Sequence, residues 1–144
     1  MPSLEGYSAS DHVQLAHLYT DSPLQLQDGT SLSSIRVAYE TYGELNAQAD
    51  NAVLVCHALT GDSHVARHDD QDLPGWWDRA VGTGKLIDTD RFFVVCSNVI
   101  GSCYGSEGPG TEHPDRDGPW GARFPYPSVK DVVTVQRELL RHLK

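Results

Sequence analysis

The chain has no apolar run near the roughly 18 residues a membrane-spanning helix needs. Its first residues, Met1 to Asp11, carry neither a positive stretch nor an apolar segment of the kind that opens a secretory leader. Basic residues are scarce: 11 Lys and Arg stand against 20 Asp and Glu, for a formal net charge of -9. The densest basic region is Arg137, Arg141 and Lys144. That balance argues against nucleic acid or an anionic membrane as a partner. Cysteine is also sparse, with three residues, an odd number. Cys56 and Cys96 lie inside apolar runs, where a thiol behaves as a small hydrophobe, so a disulfide framework is not expected and the cytoplasm is the expected compartment. Hydrophobic residues make up 39%, a little low for a compact domain, which points to much loop or to a core the chain does not close by itself. The 144 residues suffice for one domain. No internal repeat, low-complexity tract or phosphate-cradling Gly-rich loop is visible.

What is present is organised around Asn51–Gly61, which reads NAVLVCHALTG. Residues 52–56 form a short apolar run bounded by turn residues, the pattern of a strand buried on both faces in a mainly parallel sheet. A second such run, 92–96, also ends in a polar, Gly-rich loop. Two buried strands that each deliver a polar loop at the C-terminal end describe part of an open α/β sheet, whose ligands and catalytic groups gather at that edge.

Before these runs, 12–19 and 35–42 alternate polar and apolar residues, as half-buried strands do. With Asp28-Gly29 between them as a hairpin turn, the expectation is an antiparallel pair. Residues 61–74 are polar, with His64, His68 and the acidic Asp69, Asp70 and Asp72, and read as a solvated loop. Residues 98–127 hold no periodic segment, but Tyr104, Trp120, Phe124 and Tyr126 argue for an ordered loop. The clearest helix spans 129–143. Ser128 and Asp131 form a capping box, and Val129, Val132, Val133, Leu139, Leu140 and Leu143 recur mostly on one side.

Four groups are candidates for chemistry. The loop His57-Ala58-Leu59-Thr60-Gly61 follows a buried strand and can aim backbone N–H groups at a developing oxyanion; the competing reading makes His57 a sheet-edge histidine satisfied by local backbone. Gly101-Ser102-Cys103-Tyr104-Gly105 mimics a nucleophile elbow with cysteine, yet Ser106-Glu107-Gly108-Pro109-Gly110 cannot readily start the helix an elbow requires. His57, Asp62, His64, His68, Asp69 and Asp70 include an i, i+4 histidine pair, but no Glu follows the first His as in zinc proteases. Trp76 and Trp77 read as a packing anchor before they read as a pocket lining.

The strings VAYETYGELN (37–46), NAVLVCHALTGDSH (51–64), PGWWD (74–78), IDTDRFFVVCSNVIG (87–101) and CYGSEGP (103–109) resemble homoserine O-acetyltransferases in order and spacing. These are α/β-hydrolase-fold acyltransferases of methionine biosynthesis. One departure is Ser102, where the family usually has a second glycine before the cysteine. The resemblance implies an acetyl group passing from acetyl-CoA to a serine and then to the hydroxyl of L-homoserine, through a Ser-His-Asp triad. It implies no bound cofactor and no metal, acetyl-CoA as co-substrate, and a homodimer at full length. It makes Ala58, Leu59, Thr60 and Gly61 the oxyanion-hole loop, with the Leu59 N–H as donor. In the family the serine sits in a G-G-S-M-G-G-like elbow on the strand after the helix matching 129–143. The expectation is therefore the N-terminal part, residues 1–144, of a single α/β-hydrolase-like domain, truncated before that elbow. All three triad residues would be absent and the fragment inactive alone. A succinyl-CoA-using homologue, a non-catalytic interaction module and a Cys103 hydrolase stand as alternatives.

Overall fold

The computed structural model describes residues 11–144. They divide into two compact units, one of residues 11–14, 39–97 and 144, the other of residues 15–38 and 98–143.

The first unit is built on β6, Phe93–Ser97, whose residues from Val94 on are buried. On one side β6 pairs antiparallel with the second half of β4, Ile35–Tyr42, in the register Tyr39↔Ser97 to Tyr42↔Val94. On the other it pairs parallel with β5, Ala52–Val55, in the register Ala52↔Phe93 to Val55↔Cys96. The expected α/β-hydrolase-type sheet is thus present in part, with the antiparallel lead-in and the two apolar strands where the sequence put them. β5 differs from expectation in its burial. Among the described residues its strand neighbour is β6 alone; Ala52 is exposed, Val53 and Leu54 are half-buried, and Cys56 is exposed rather than packed as a small hydrophobe. β4 errs the other way: read as half-buried, it is buried at six of its eight positions. The apolar core of this unit joins Tyr42, Val55, Val65, Ala66, Val81, Val94 and Cys96.

β1, Gln14–Leu18, in the second unit from Leu15 on, lies beside β4. The Asp28-Gly29 turn does not join these two strands directly. It closes a small hairpin of its own, β2 (Leu24–Gln25) against β3 (Ser31–Leu32), with Gly29 at φ +87°. Residues 98–127 are irregular apart from a helical turn at Gly121–Arg123, and they are fastened through side chains. Ser106 Oγ accepts the Ala38 N–H (2.9 Å) and donates to the Asn98 carbonyl (2.7 Å). The Glu107 N–H donates to the Arg36 carbonyl (2.7 Å), and the Glu107 carboxylate accepts the Trp120 indole N–H (3.1 Å) and the Thr111 hydroxyl. Trp120 packs edge-on against the buried Phe124.

The helix is α1, Val129–His142, and its capping box is present. Its buried stripe differs from the expected one. Asp131, Val135, Gln136 and Leu139 are buried, while Val129 and Val133 are exposed. The reason is the cap residue itself. Asp131 accepts the Ser128 N–H (2.8 Å) and also the Gln27 N–H of the β2–β3 hairpin (3.2 Å), which turns that side of the helix inward. These bonds outweigh the effect of burial and hold the Asp131 carboxyl below its ordinary value. Replacing Ser128 by Ala should lower stability by about 1 kcal/mol, the usual worth of such a cap, read as a drop in the urea midpoint; an unchanged midpoint would mean the cap is redundant.

Candidate functional site

Past Val55 the chain leaves the ladder and turns sharply. The Gly61 N–H donates to the Ala58 carbonyl (2.8 Å), closing a four-residue turn with Leu59 and Thr60 at its centre. In such a turn the first central amide takes no part in the closing bond. Among the described residues no acceptor takes the Leu59 N–H, and Leu59 is 97% exposed. His57 Nδ1 lies 2.7 Å from the same Ala58 carbonyl and donates to it, so the histidine braces the turn. A β-carbon at Gly61 would stand 3.0 Å from His57 Cβ and 3.3 Å from the Ala58 oxygen, so the turn has little room for any other residue there.

The segment after the turn was expected to be solvated; residues 69–74 are largely exposed, but the residues nearest the turn are not. Ser63, His64, Val65 and Ala66 are all buried. The polarity that made 61–74 look like surface instead matches a single buried acid, Glu40 of β4, which is 0% exposed. A carboxylate taken out of water is costly unless donors surround it. Glu40 Oε1 accepts from Ser63 Oγ (3.3 Å). Glu40 Oε2 faces three groups: Tyr42 Oη (3.0 Å), His64 Nδ1 (3.0 Å) and His68 Nε2 (2.9 Å).

Proton accounting assigns the charges. Tyr42 Oη already accepts the Ala66 N–H (3.4 Å), so its own hydrogen points to Glu40. Read as a carboxylate, Glu40 offers Oε2 to donors from three directions. His64 then donates from Nδ1 to Glu40 and from Nε2 to the Leu73 carbonyl (2.8 Å), which can only accept. A ring with two donor nitrogens is an imidazolium. Burial by itself would lower the His64 pKa. The Glu40 bond, the Leu73 carbonyl, and the charges of Glu40 and Asp72 outweigh it and hold the ring above its ordinary 6.5. Burial, with the Glu40 charge second, pushes the Tyr42 phenol well above its usual range and keeps it neutral. Burial likewise pushes the Cys96 thiol up to about 12, so it stays a donor, 3.6 Å from the Asp62 carbonyl. His68 is sandwiched between the rings of Tyr42 (4.3 Å) and His12 (4.1 Å).

No family model matches the chain. Curated relatives do. Homoserine O-acetyltransferase from Methanosphaerula palustris is 53% identical over 123 residues, 85% of this chain and 25% of that protein. A homoserine O-succinyltransferase from Acidithiobacillus ferrooxidans is 51% identical over 124 residues, 85% of this chain and 32% of that protein. In sequence, the chain is a homologue of the homoserine O-acetyltransferases. Among solved structures, that of homoserine O-acetyltransferase from Bacillus anthracis aligns with a TM-score of 0.80 at 29% identity, covering 91% of this chain and 36% of that one. The chain thus spans a quarter to a third of the length of the curated relatives named here. The partial sheet described above is the corresponding part of an α/β-hydrolase fold.

Within that homology the remaining candidates fall into place. Cys103 is exposed and followed by turns and bends rather than a helix, so the elbow geometry is absent around it. Ser102 Oγ is buried without a hydrogen-bond partner. His64 and His68 do not share a helix; both converge on Glu40 from an irregular segment. Among the described residues no group of three or more His, Cys, Asp and Glu could hold a metal ion. Trp76 and Trp77 stack on each other (5.8 Å between centroids), and Trp76 Nε1 donates to the Asp62 carbonyl (3.0 Å), a brace on the segment after the turn. Sequence reasoning missed Glu40, hidden in VAYETYGELN as one polar position of an alternating strand. Because His64 is held above 6.5 in the fold, its share of stability is full below that value and is lost as pH rises through the folded value. The stability gap between the parent chain and His64→Gln should therefore be widest in mild acid and shrink above neutrality, as measured by urea midpoints across pH; a gap that grows with pH would contradict the imidazolium.

Proposed function

We propose that this chain is the segment of a homoserine O-acetyltransferase that carries one half of the oxyanion hole, and that the protein it serves moves an acetyl group from acetyl-CoA to the hydroxyl of L-homoserine. The observation that carries the reading is about half identity to relatives of that name across most of the chain. Geometry supports it: the amide of the exposed Leu59, with no acceptor among the described residues, sits on a braced turn at the C-terminal end of a parallel strand, where acyl-transfer enzymes place an oxyanion donor. When a nucleophile attacks the thioester carbonyl, negative charge gathers on its oxygen. A donor already aimed there lowers the barrier without reorganising. Ala58, Thr60 and Gly61 form the rest of the turn and hold the amide in place.

The nucleophile and its base are assigned no residue here. Ser63, Ser97 and Ser106 are buried, and Ser102 lies in a bend; none stands at a strand–turn–helix junction. In this reading the triad is supplied by residues outside these 144. The donor is acetyl-CoA, with succinyl-CoA as the second reading because one close relative is named an O-succinyltransferase. The working protein is a cytoplasmic homodimer with no metal and no bound cofactor.

Three outcomes test this. The 144-residue chain alone should release no CoA from acetyl-CoA and homoserine above background; turnover that survives replacement of Ser102 and Cys103 by alanine would mean the machinery lies elsewhere in these residues. Exchanged for the matching segment of the Methanosphaerula palustris enzyme, the chain should support acetyl transfer, and a folded chimera that is silent with both acyl-CoAs would count against the family function. In an active chimera, Gly61→Val should lower turnover by about 10²–10³, the scale of one lost oxyanion donor, and unchanged turnover would remove the role of the turn.

A further inference from the structure

The turn that carries Leu59 hangs between two fixed points. Val55 pairs with Cys96 through the β5–β6 ladder, and the Asp62 carbonyl accepts from the thiol of the same Cys96 at 3.6 Å. A thiol is a weak donor, so this second tether alone would hold the turn loosely. What fixes the chain just past Asp62 is Glu40. It takes Ser63 Oγ on one oxygen and His64 Nδ1 on the other, while Tyr42, itself bonded to Glu40, takes the Ala66 N–H. His64 N–H closes back on Asp62 Oδ1 at 3.0 Å.

We propose that Glu40 is a positioning residue for acyl transfer: its buried carboxylate, paired with the His64 imidazolium, holds residues 62–66 and so aims the Leu59 amide. This rests on the oxyanion role assigned above. A positioning role follows from chemistry as well as from place. An oxyanion donor acts only if it is held to within a fraction of an ångström, which needs supporting contacts that do not relax. An ion pair out of water is such a support, because any motion that separates its members exposes an uncompensated charge. Other groups around the pair leave its sign intact. Tyr42 from β4 and Cys96 from β6 are neutral donors. From the 62–73 segment come Asp62, His68 and the acids Asp69 and Asp72, with Asp72 Oδ1 at 3.9 Å from His64 Nε2. His12 stacks on His68 and faces Asp69 at 4.0 Å. Fully buried, Glu40 would act through the turn.

The 144-residue chain labelled with ¹⁵N provides the first test. At pH 7.5 one histidine, lost in His64→Gln, should show both ring nitrogens protonated, and the Leu59 amide should be rigid. In Glu40→Gln the second ring proton should go and the Leu59 amide should become mobile, while Glu40→Asp restores part of both. Should Glu40→Gln not fold, His64→Gln, which keeps the carboxylate, gives the same reading at Leu59. In the chimera, Glu40→Gln should lower kcat by about 10²-fold, the scale of a 1 Å misplacement, with KM for acetyl-CoA unchanged and with part of the loss rescued by Glu40→Asp. A Glu40→Gln protein that melts earlier but keeps its kcat and a rigid Leu59 would make the pair purely structural and overturn the proposal. A neutral His64 in the parent chain would overturn it as well. A parent chimera silent with both acyl-CoAs would sink the acyl-transfer reading instead, with the Leu59 amide still deciding whether Glu40 orders the turn.

Discussion

A carboxylate buried without access to water must be surrounded by donors or it will not stay buried. Glu40 is that carboxylate, and much of the first unit is arranged to meet its demand. Tyr42, two residues along the same strand, brings its hydroxyl to the same face because side chains alternate across a strand. Ser63, His64 and His68 come from an irregular segment with no ladder of its own. Remove the acid and that segment has little reason to fold inward; with it, Val65 and Ala66 are drawn into the apolar core beside Val94 and Cys96. Glycines allow two close backbone approaches in this unit, the first of them by this segment. Any side chain at Gly75 would strike the Val65–Ala66 backbone, and one at Gly43, where φ is +72°, would strike the Thr89 and Phe92 carbonyls.

The second unit solves a similar problem by similar means. Residues 98–127 contain little regular structure, yet the chain is ordered because polar side chains stand in for a ladder. Ser106 and Glu107 bond to the backbone of β4, and Asp131 closes both a helix N-terminus and the approach of a hairpin. Each of these side chains bonds to main chain, Glu107 and Asp131 to other side chains as well, so each supplies partners that a loop's amides and carbonyls would otherwise lack. The modest apolar content of the sequence is consistent with this use of polar groups.

The proposed acyl transfer would need a rigid donor at the place where charge appears. On that proposal the turn at Ala58–Gly61 offers the Leu59 amide, which has no acceptor among the described residues, and the network around Glu40 holds the segment that follows it. The identity of the acyl group is a separate matter. Relatives named for acetyl and for succinyl transfer match this chain about equally well.

By itself the sequence determined the elements with strong periodicity or punctuation. β4, β6 and α1 stand where alternation, an apolar run and a capping box put them, because those patterns are local and each residue's neighbours decide them. The HALTG turn was legible for the same reason. Only the tertiary structure decided which polar residues are inside. His64 and His68 look identical in sequence to solvated histidines, and Glu40 to the exposed side of an alternating strand. Their burial depends on partners up to 28 positions away, and a pairing between distant residues leaves no periodic trace. The same holds for α1, whose buried stripe was set by the bond from Asp131 to Gln27 rather than by its own valines. It holds for β5 too, whose apolar composition could not say how many strands would stand beside it.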